Sequence, residues 1–379
     1  MELENIRLYG YIKYLKEREK VKKRESNLEL LRILAMLLIV LGHYVYWGIG
    51  DLKTDSFIND LIFNFLVLGG KIGVNIFVFI SSWFLVDSKF NLKKIIDLFL
   101  KVKIYAFIFL IIAILLKESL SLKKIIISLF PIIFKNYWFI TCYMMLYIIF
   151  PYLNIMLYRI TKNELKSLLM VLLLIFCFLQ TFIGTRLFYS EFIWFIILYF
   201  ITFYLKKYCI LRNKEFFKKI SIIIYMFIFI GSYIFKYFNL RFSLAGEYTI
   251  TGLLVSVTIF CYFLQLNLGY KKYINFVSLG TLSVYLIHEN IFGRDIIWNK
   301  ILKTSEVVNF NLGLVIIHII VSTLLIFIFG ILTDKIINFL LNNIFNRKIE
   351  SLILFLERKK LNFWNKVVKF TEKFEKVEM

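Results

Sequence analysis

The chain has 379 residues, is 60% hydrophobic and carries a formal charge of +22, with a mean hydropathy of +0.77. These values exclude a soluble globular domain, and many apolar runs are long enough to cross a bilayer, so the fold class is an all-α polytopic membrane protein. The Lys and Arg residues sit mainly between those runs, which matches the positive-inside pattern and anionic lipid headgroups; membrane lipids, and no nucleic acid, are the partners the charge implies. Cys142, Cys177, Cys209 and Cys261 show no paired spacing, so neither a disulfide framework nor a metal site is indicated.

Residues 1–26 carry Arg7, Lys13, Lys16, Arg18, Lys20, Lys22, Lys23 and Arg24 beside an apolar stripe through Ile6, Leu8 and Tyr11. This basic stretch is too long for a signal peptide and lacks a small-residue cleavage site, so it reads as an amphipathic cytoplasmic helix. A membrane domain over 27–333 follows, with about ten spans near 28–49, 67–86, 100–116, 137–157, 167–184, 190–206, 219–237, 248–267, 273–292 and 312–333. Alternation from a cytoplasmic start puts the basic connections, most clearly 206–219 with six Lys and Arg, on the inside. The connection 117–136 falls outside yet holds four lysines, and KKIIISLFPIIF within it reads as an interfacial or re-entrant helix. Residues 334–379 alternate apolar and basic clusters and read as an amphipathic tail on the membrane. Both termini are then cytoplasmic, and the protein is multi-pass in the cell membrane. No internal repeat and no proline- or glycine-broken helix pair is evident, and the outer connections look short.

The first span, NLELLRILAMLLIVLGHYVYWG, holds three ionisable residues: Glu29, Arg32 and His43. Eleven steps of about 100° bring Arg32 and His43 onto one face, about 16 Å apart along the axis, with Glu29 one turn before Arg32. Such groups are costly against lipid and belong in a protein interior or a wet cavity. His43, His288 and His318 all fall in the outer half of the membrane domain, level with Tyr137 and Trp138. His318 reads as structural, and Arg294 and Asp295 as solvated loop charges.

The run RESNLELLRILAMLLIVLGHY, with its R-x10-H spacing, resembles the first helix of the acyltransferase family 3 membrane proteins. Downstream and in the family's order, GVNIFVFISSWFL resembles its Ile-Ser-Gly motif, YWFITCYMMLYIIFPYLN its Tyr-Trp-Phe segment, and LSVYLIHENIF its Tyr-Leu-x-His motif. The resemblance covers roughly 24–333. Two positions depart from the pattern: Ala35 stands where many members carry a second Arg, and Ser81-Ser82 replaces the glycine-containing step.

The resemblance implies helices around a central pore and an acyltransferase. An acyl group, expected to be acetyl, would move from acyl-CoA on the cytoplasmic side to a hydroxyl of a cell-surface glycan or a small acceptor. No permanently bound cofactor is implied; acyl-CoA (acetyl-CoA) is the donor substrate. Arg32 would hold the donor's phosphates or pantetheine amides, with Glu29 orienting it and Ser81 and Ser82 offering hydrogen bonds. His43 would act as general base, direct acyl transfer to it being a variant. Tyr137, Trp138 and Tyr143 would shape the acceptor end, and His288 with Glu289 would order the acceptor or tune His43. The competing expectation is a proton-coupled transporter or flippase of an anionic or lipid-linked substrate. A glycan polymerase would need acidic residues or a large outer loop.

Overall fold

The computed structural model describes residues 26–183, 190–238, 244, 246–345, 351 and 355. The basic segment before Ser26 and, apart from 334–345, 351 and 355, the amphipathic tail expected over 334–379 lie outside the described residues. Among the described residues there is no strand, and seven helices are long and apolar enough to cross a membrane. In chain order the helices are α1 (Ser26–His43), α2 (Phe57–Leu85), α3 (Leu92–Leu115), α4 (Leu122–Leu129), α5 (Trp138–Arg159) and α6 (Lys162–Leu173). They continue with α7 (Leu179–Ile183), α8 (Glu191–Tyr208), α9 (Lys214–Tyr237), α10 (Ile250–Leu264), α11 (Lys272–Leu279), α12 (Thr281–His288) and α13 (Leu312–Leu340). A π-helical turn, Tyr44–Ile49, extends α1 past His43.

Several expected spans differ from the observed helices for identifiable reasons. The second begins at Phe57, ten residues before its expected start, because the Ser56 hydroxyl accepts from the Asn59 amide and caps it. Asn59, Asp60 and Asn64 then lower the hydropathy of its first turns without stopping the helix. The expected span 273–292 is two eight-residue helices, α11 and α12, meeting at Gly280, so a glycine-broken segment is present after all. A Cβ on Gly280 would lie 2.8 Å from Ile331 Cγ1; the break is packed directly against α13. The expected span 248–267 holds the 15-residue α10, and α8 spans 18 residues with charges at both ends. The last helix runs on past 333 to Leu340. In 117–136 the ordered helix, α4, has eight residues, too short to span and in keeping with an interfacial element.

The connection between α12 and α13 is not a short outer loop. It folds into a π-helical turn, Asp295–Ile301, and a 3-10 turn, Thr304–Val307, pinned where Thr304 Oγ1 donates to the Trp298 carbonyl at 2.8 Å. His318 joins this cap to the bundle. One ring nitrogen meets the Leu302 carbonyl at 2.8 Å and the other the Tyr44 hydroxyl at 2.8 Å, which supports its structural reading.

Lipid is as apolar as leucine, so close packing and internal hydrogen bonds, not burial from water, hold such helices together. The α1–α2 crossing shows the first of these. A Cβ on Gly42 would stand 2.9 Å from Gly70 Cα, and one on Gly73 would stand 2.6 Å from the Ala35 carbonyl oxygen. Ala35 is therefore sealed in this crossing, fully buried, at a position with no room for an arginine. Two cores result, one around Phe79, Trp194, Phe195 and Phe260 and one around Tyr44, Tyr105, Tyr137 and Trp298. Phe77, Trp138 and Phe139 touch both cores and mark the seam along which the cavities lie.

Candidate active site

His43 ends α1 where the backbone passes into the π-helical turn, a distortion that recurs at functional positions. Its Nδ1 lies 3.1 Å from His288 Nε2 and 3.2 Å from Glu289 Oε2. The ring states follow from the partners. His288 Nδ1 faces the Val284 carbonyl at 2.6 Å, and a carbonyl only accepts, so that nitrogen carries hydrogen and neutral His288 presents a lone pair at Nε2. His43 Nδ1–H therefore donates to this lone pair and to the Glu289 carboxylate. The free lone pair of neutral His43 is then on Nε2, the nitrogen a general base needs.

Glu289 is 2% exposed and is held from three sides. Trp47 Nε1 donates to Oε2 at 2.9 Å, His43 approaches the same oxygen, and the Arg294 guanidinium pairs with Oε1. That guanidinium also stacks 3.8 Å over the Trp47 ring, a favourable cation–π geometry. The expectation that Arg294 is a solvated loop charge is thus corrected: it neutralises the buried carboxylate behind His43. Asp295 does stay exposed, 56% at its side chain.

Two cavities flank His43. One, of about 350 Å³, is lined by Arg32, Met36, Ile39, Phe77, Ser81, Leu98 and Tyr143 and reaches Ser278 and Thr281 at the α11–α12 break. The other, of about 300 Å³, is lined by Tyr46, Trp47, Lys71, Glu191, Glu247, Glu289 and Arg294. His43, Val74 and Trp138 belong to the walls of both. Arg32 and His43, expected on one helical face, thus line one cavity.

The remaining expected site residues divide sharply. Glu29 is buried and pairs with Arg32 at 2.7 Å, suited to orienting the guanidinium. Ser81 lines the first cavity, while Ser82 is fully buried in the packing and lines neither. Trp138 lines both cavities, and Tyr143 lines the first, which it shares with Arg32 and His43. Tyr137 lines neither cavity. It is fully buried, its hydroxyl donates to the Leu286 carbonyl at 3.1 Å and accepts from Asn290 Nδ2 at 2.7 Å, so it fixes the end of α12.

Sequence reasoning passed over Trp47, Lys71, Glu191, Glu247 and Arg294. Two of these carried a signal: Trp47 is one helical turn after His43, and Lys71 is a lone charge inside an apolar run, where ionisable groups are functional by default. The Lys71 ammonium lies 3.3 Å from the Glu247 carboxylate, a partner 176 residues away in sequence that no local pattern reveals. Glu191 opens α8 behind a Ser190 cap and reads in sequence as an ordinary first-turn acid. Carboxylates at the second cavity also remove the argument that acidic residues for a sugar ligand are missing.

A family model described as an acyltransferase domain matches residues 25–341, and nothing among curated proteins or solved structures matches the chain.

Proposed function

The chain belongs to this acyltransferase family, and from that premise we propose that it is a multi-pass membrane O-acyltransferase that moves an acyl group from acyl-CoA, entering past Arg32, to an acceptor hydroxyl held in the second cavity. The observation that carries this reading is His43: it lines both cavities, and Glu289 and His288 engage its Nδ1 so that Nε2 is left to take a proton. The basic connections support placing the Arg32 end at the cytoplasm. The axial rise from Arg32 to His43, about 16 Å, is of the order of an extended pantetheine arm, so a thioester can reach the imidazole while the phosphates remain near the guanidinium.

The acceptor O–H gives its proton to His43 Nε2 as its oxygen bonds to the thioester carbonyl carbon. The C–S bond then breaks, and the imidazolium returns the proton to the CoA thiolate. Glu289 holds the ring in the tautomer this needs and stabilises the imidazolium, while Arg294 balances the carboxylate charge between turnovers. Acetyl-CoA is the donor to try first. Trp47, Tyr46 and Trp138 beside Glu191 and Glu247 combine flat apolar surfaces with hydroxyl-binding carboxylates, which supports a sugar acceptor.

A purified sample in detergent or nanodiscs, given labelled acetyl-CoA and a glycan, releases CoA and labels the glycan, and His43→Ala loses about 10²–10⁴-fold of the rate. Undiminished transfer by a folded His43→Ala protein removes this mechanism. The break at Gly280 is a feature that transporters also use, so carriage without chemistry is the second reading. It predicts that an intact labelled substrate crosses the bilayer and that no thioester is cleaved.

A further inference from the structure

Tyr285 lies on α12 one turn before His288 and shares a cavity with Arg32 and His43. It is 5% exposed, yet its hydroxyl completes no hydrogen bond among the described residues. Its ring neighbour Tyr137, 6.1 Å away between centroids, has both a donor and an acceptor partner. An unmatched buried hydroxyl is costly, so a cavity-facing one calls for a ligand atom.

A second donor set opens at the same place. Helix α5 runs for 22 residues from Tyr137, which provides no side-chain cap, so its first amides have no partner within the helix. The residues carrying them, Trp138, Phe139 and Ile140, all line the cavity. The Phe139 and Tyr285 rings meet edge to face with their centroids 5.9 Å apart, so this end of α5 lies beside the tyrosine. The positive end of the helix dipole and the hydroxyl border the same cavity, whose largely apolar walls strengthen both.

The geometry points to an oxyanion hole made of the Tyr285 hydroxyl and the first-turn amides of α5, Phe139 foremost, which receives the thioester carbonyl oxygen as it becomes negative. This rests on the acyl-transfer reading above. Attack of the acceptor oxygen, its proton passing to His43 Nε2, moves the carbonyl π pair onto oxygen. Tyr285 O–H and Phe139 N–H donate to that oxyanion without giving up their protons. Its collapse re-forms the carbonyl and expels the CoA thiolate, which takes the proton from His43. Tyr285 is then a catalytic residue, and its neutral, hydrogen-bearing form is the working one.

The test compares Tyr285→Phe with the wild type in kcat, in KM for acetyl-CoA, in binding of CoA, and in binding of the trifluoroacetonyl thioether of CoA, whose ketone becomes tetrahedral on hydration. Loss of one such donor lowers kcat by about 100- to 1000-fold, with KM and CoA binding unchanged and the ketone bound more weakly by a similar factor. A purely structural tyrosine would affect CoA and the ketone alike. Wild-type kcat in Tyr285→Phe, or ketone binding that ignores the substitution, overturns the proposal. Should Tyr285→Phe lose CoA binding as well, 3-fluorotyrosine at 285 decides, since a more acidic phenol tightens the ketone selectively if the hydroxyl contacts it and leaves it unchanged if not. Selective ketone binding through Tyr285 in a protein that transfers no acyl group would retain the anion pocket and discard the acyltransferase reading; transfer that depends on His43 and not on Tyr285 does the reverse.

Discussion

The two ends of the Arg32–His43 face are built on opposite plans. Around His43 the polar groups are tied together and only Nε2 of the imidazole is left open: His43 Nδ1, the Glu289 carboxylate, the Trp47 indole and the Arg294 guanidinium form one set of hydrogen bonds, ion pair and stacked rings. Around Arg32 the walls are Met36, Ile39, Phe77 and Leu98, and the guanidinium, 21% exposed at its side chain, is steadied by Glu29 from its own helix. A hydrogen-bonded network holds a reacting group within the narrow tolerance that chemistry requires. A largely apolar cavity with one cation in its wall suits a flexible arm. The contrast teaches that precision has been concentrated where bonds would change and left out where a substrate would only be held.

Substitutions at the two ends should separate accordingly. Glu289→Gln keeps the shape but removes the charge that stabilises the imidazolium, and kcat should fall by about 10–100-fold, the worth of a hydrogen bond to a charged group. KM for acyl-CoA should hold, because Glu289 does not line the Arg32 cavity. A matching rise in KM in steady-state assays would erase the division between the ends. Arg32→Ala should do the converse, raising KM by about tenfold for one lost charged contact while leaving saturated turnover near normal. A drop in kcat with KM unchanged would instead put Arg32 in the chemistry.

The smallest effect is expected at Asp87, in the turn after α2, where Lys206 and Lys207 pair with its half-exposed carboxylate. Partial burial pushes its pKa up, but the hydrogen bonds and charges of the two lysines outweigh this and hold it at about 2, below the unfolded value of about 3.9. A depressed carboxylate stabilises the fold above its unfolded pKa and stops doing so as the pH falls through the folded one. Asp87→Asn should therefore cost at most about 1 kcal/mol near neutrality, as an exposed pair does. In thermal unfolding that gap should close between about pH 4 and pH 2, with no change in transfer rate.

Much of the fold was legible because hydropathy and basic connections are strong signals, and the face shared by Arg32 and His43 follows from helical period alone. What escaped has a common cause. Gly280 sits in an apolar stretch whose hydropathy does not record that α11 and α12 are separate helices; only the approach of Ile331 on α13 explains the break. Arg294 looked like a surface charge because its partners, Trp47 and Glu289, meet only when α1 and α12 pack. Tyr137 and Tyr143 lie on neighbouring turns of one segment, yet the first supports α12 and the second borders the Arg32 cavity. No single-strand pattern distinguishes such roles.

The interrupted segment α11–α12 also dictates an order of biogenesis. Non-helical backbone at membrane depth is tolerated only when protein encloses it, and here the enclosure comes from α13, which follows the break in the chain. Gly330 of α13 lies so close to Val284 that a Cβ would fall 2.8 Å from its Cα, and Ser283 Oγ donates at 2.7 Å to Asp334, which is itself paired with Lys101. A nascent chain still waiting for α13 would have His288 and Glu289 already translated but no wall to lean them on. Chains released before Gly330 should therefore insert yet remain without a working interior, and the translocon or a holding factor would have to shelter the earlier helices until α13 arrives.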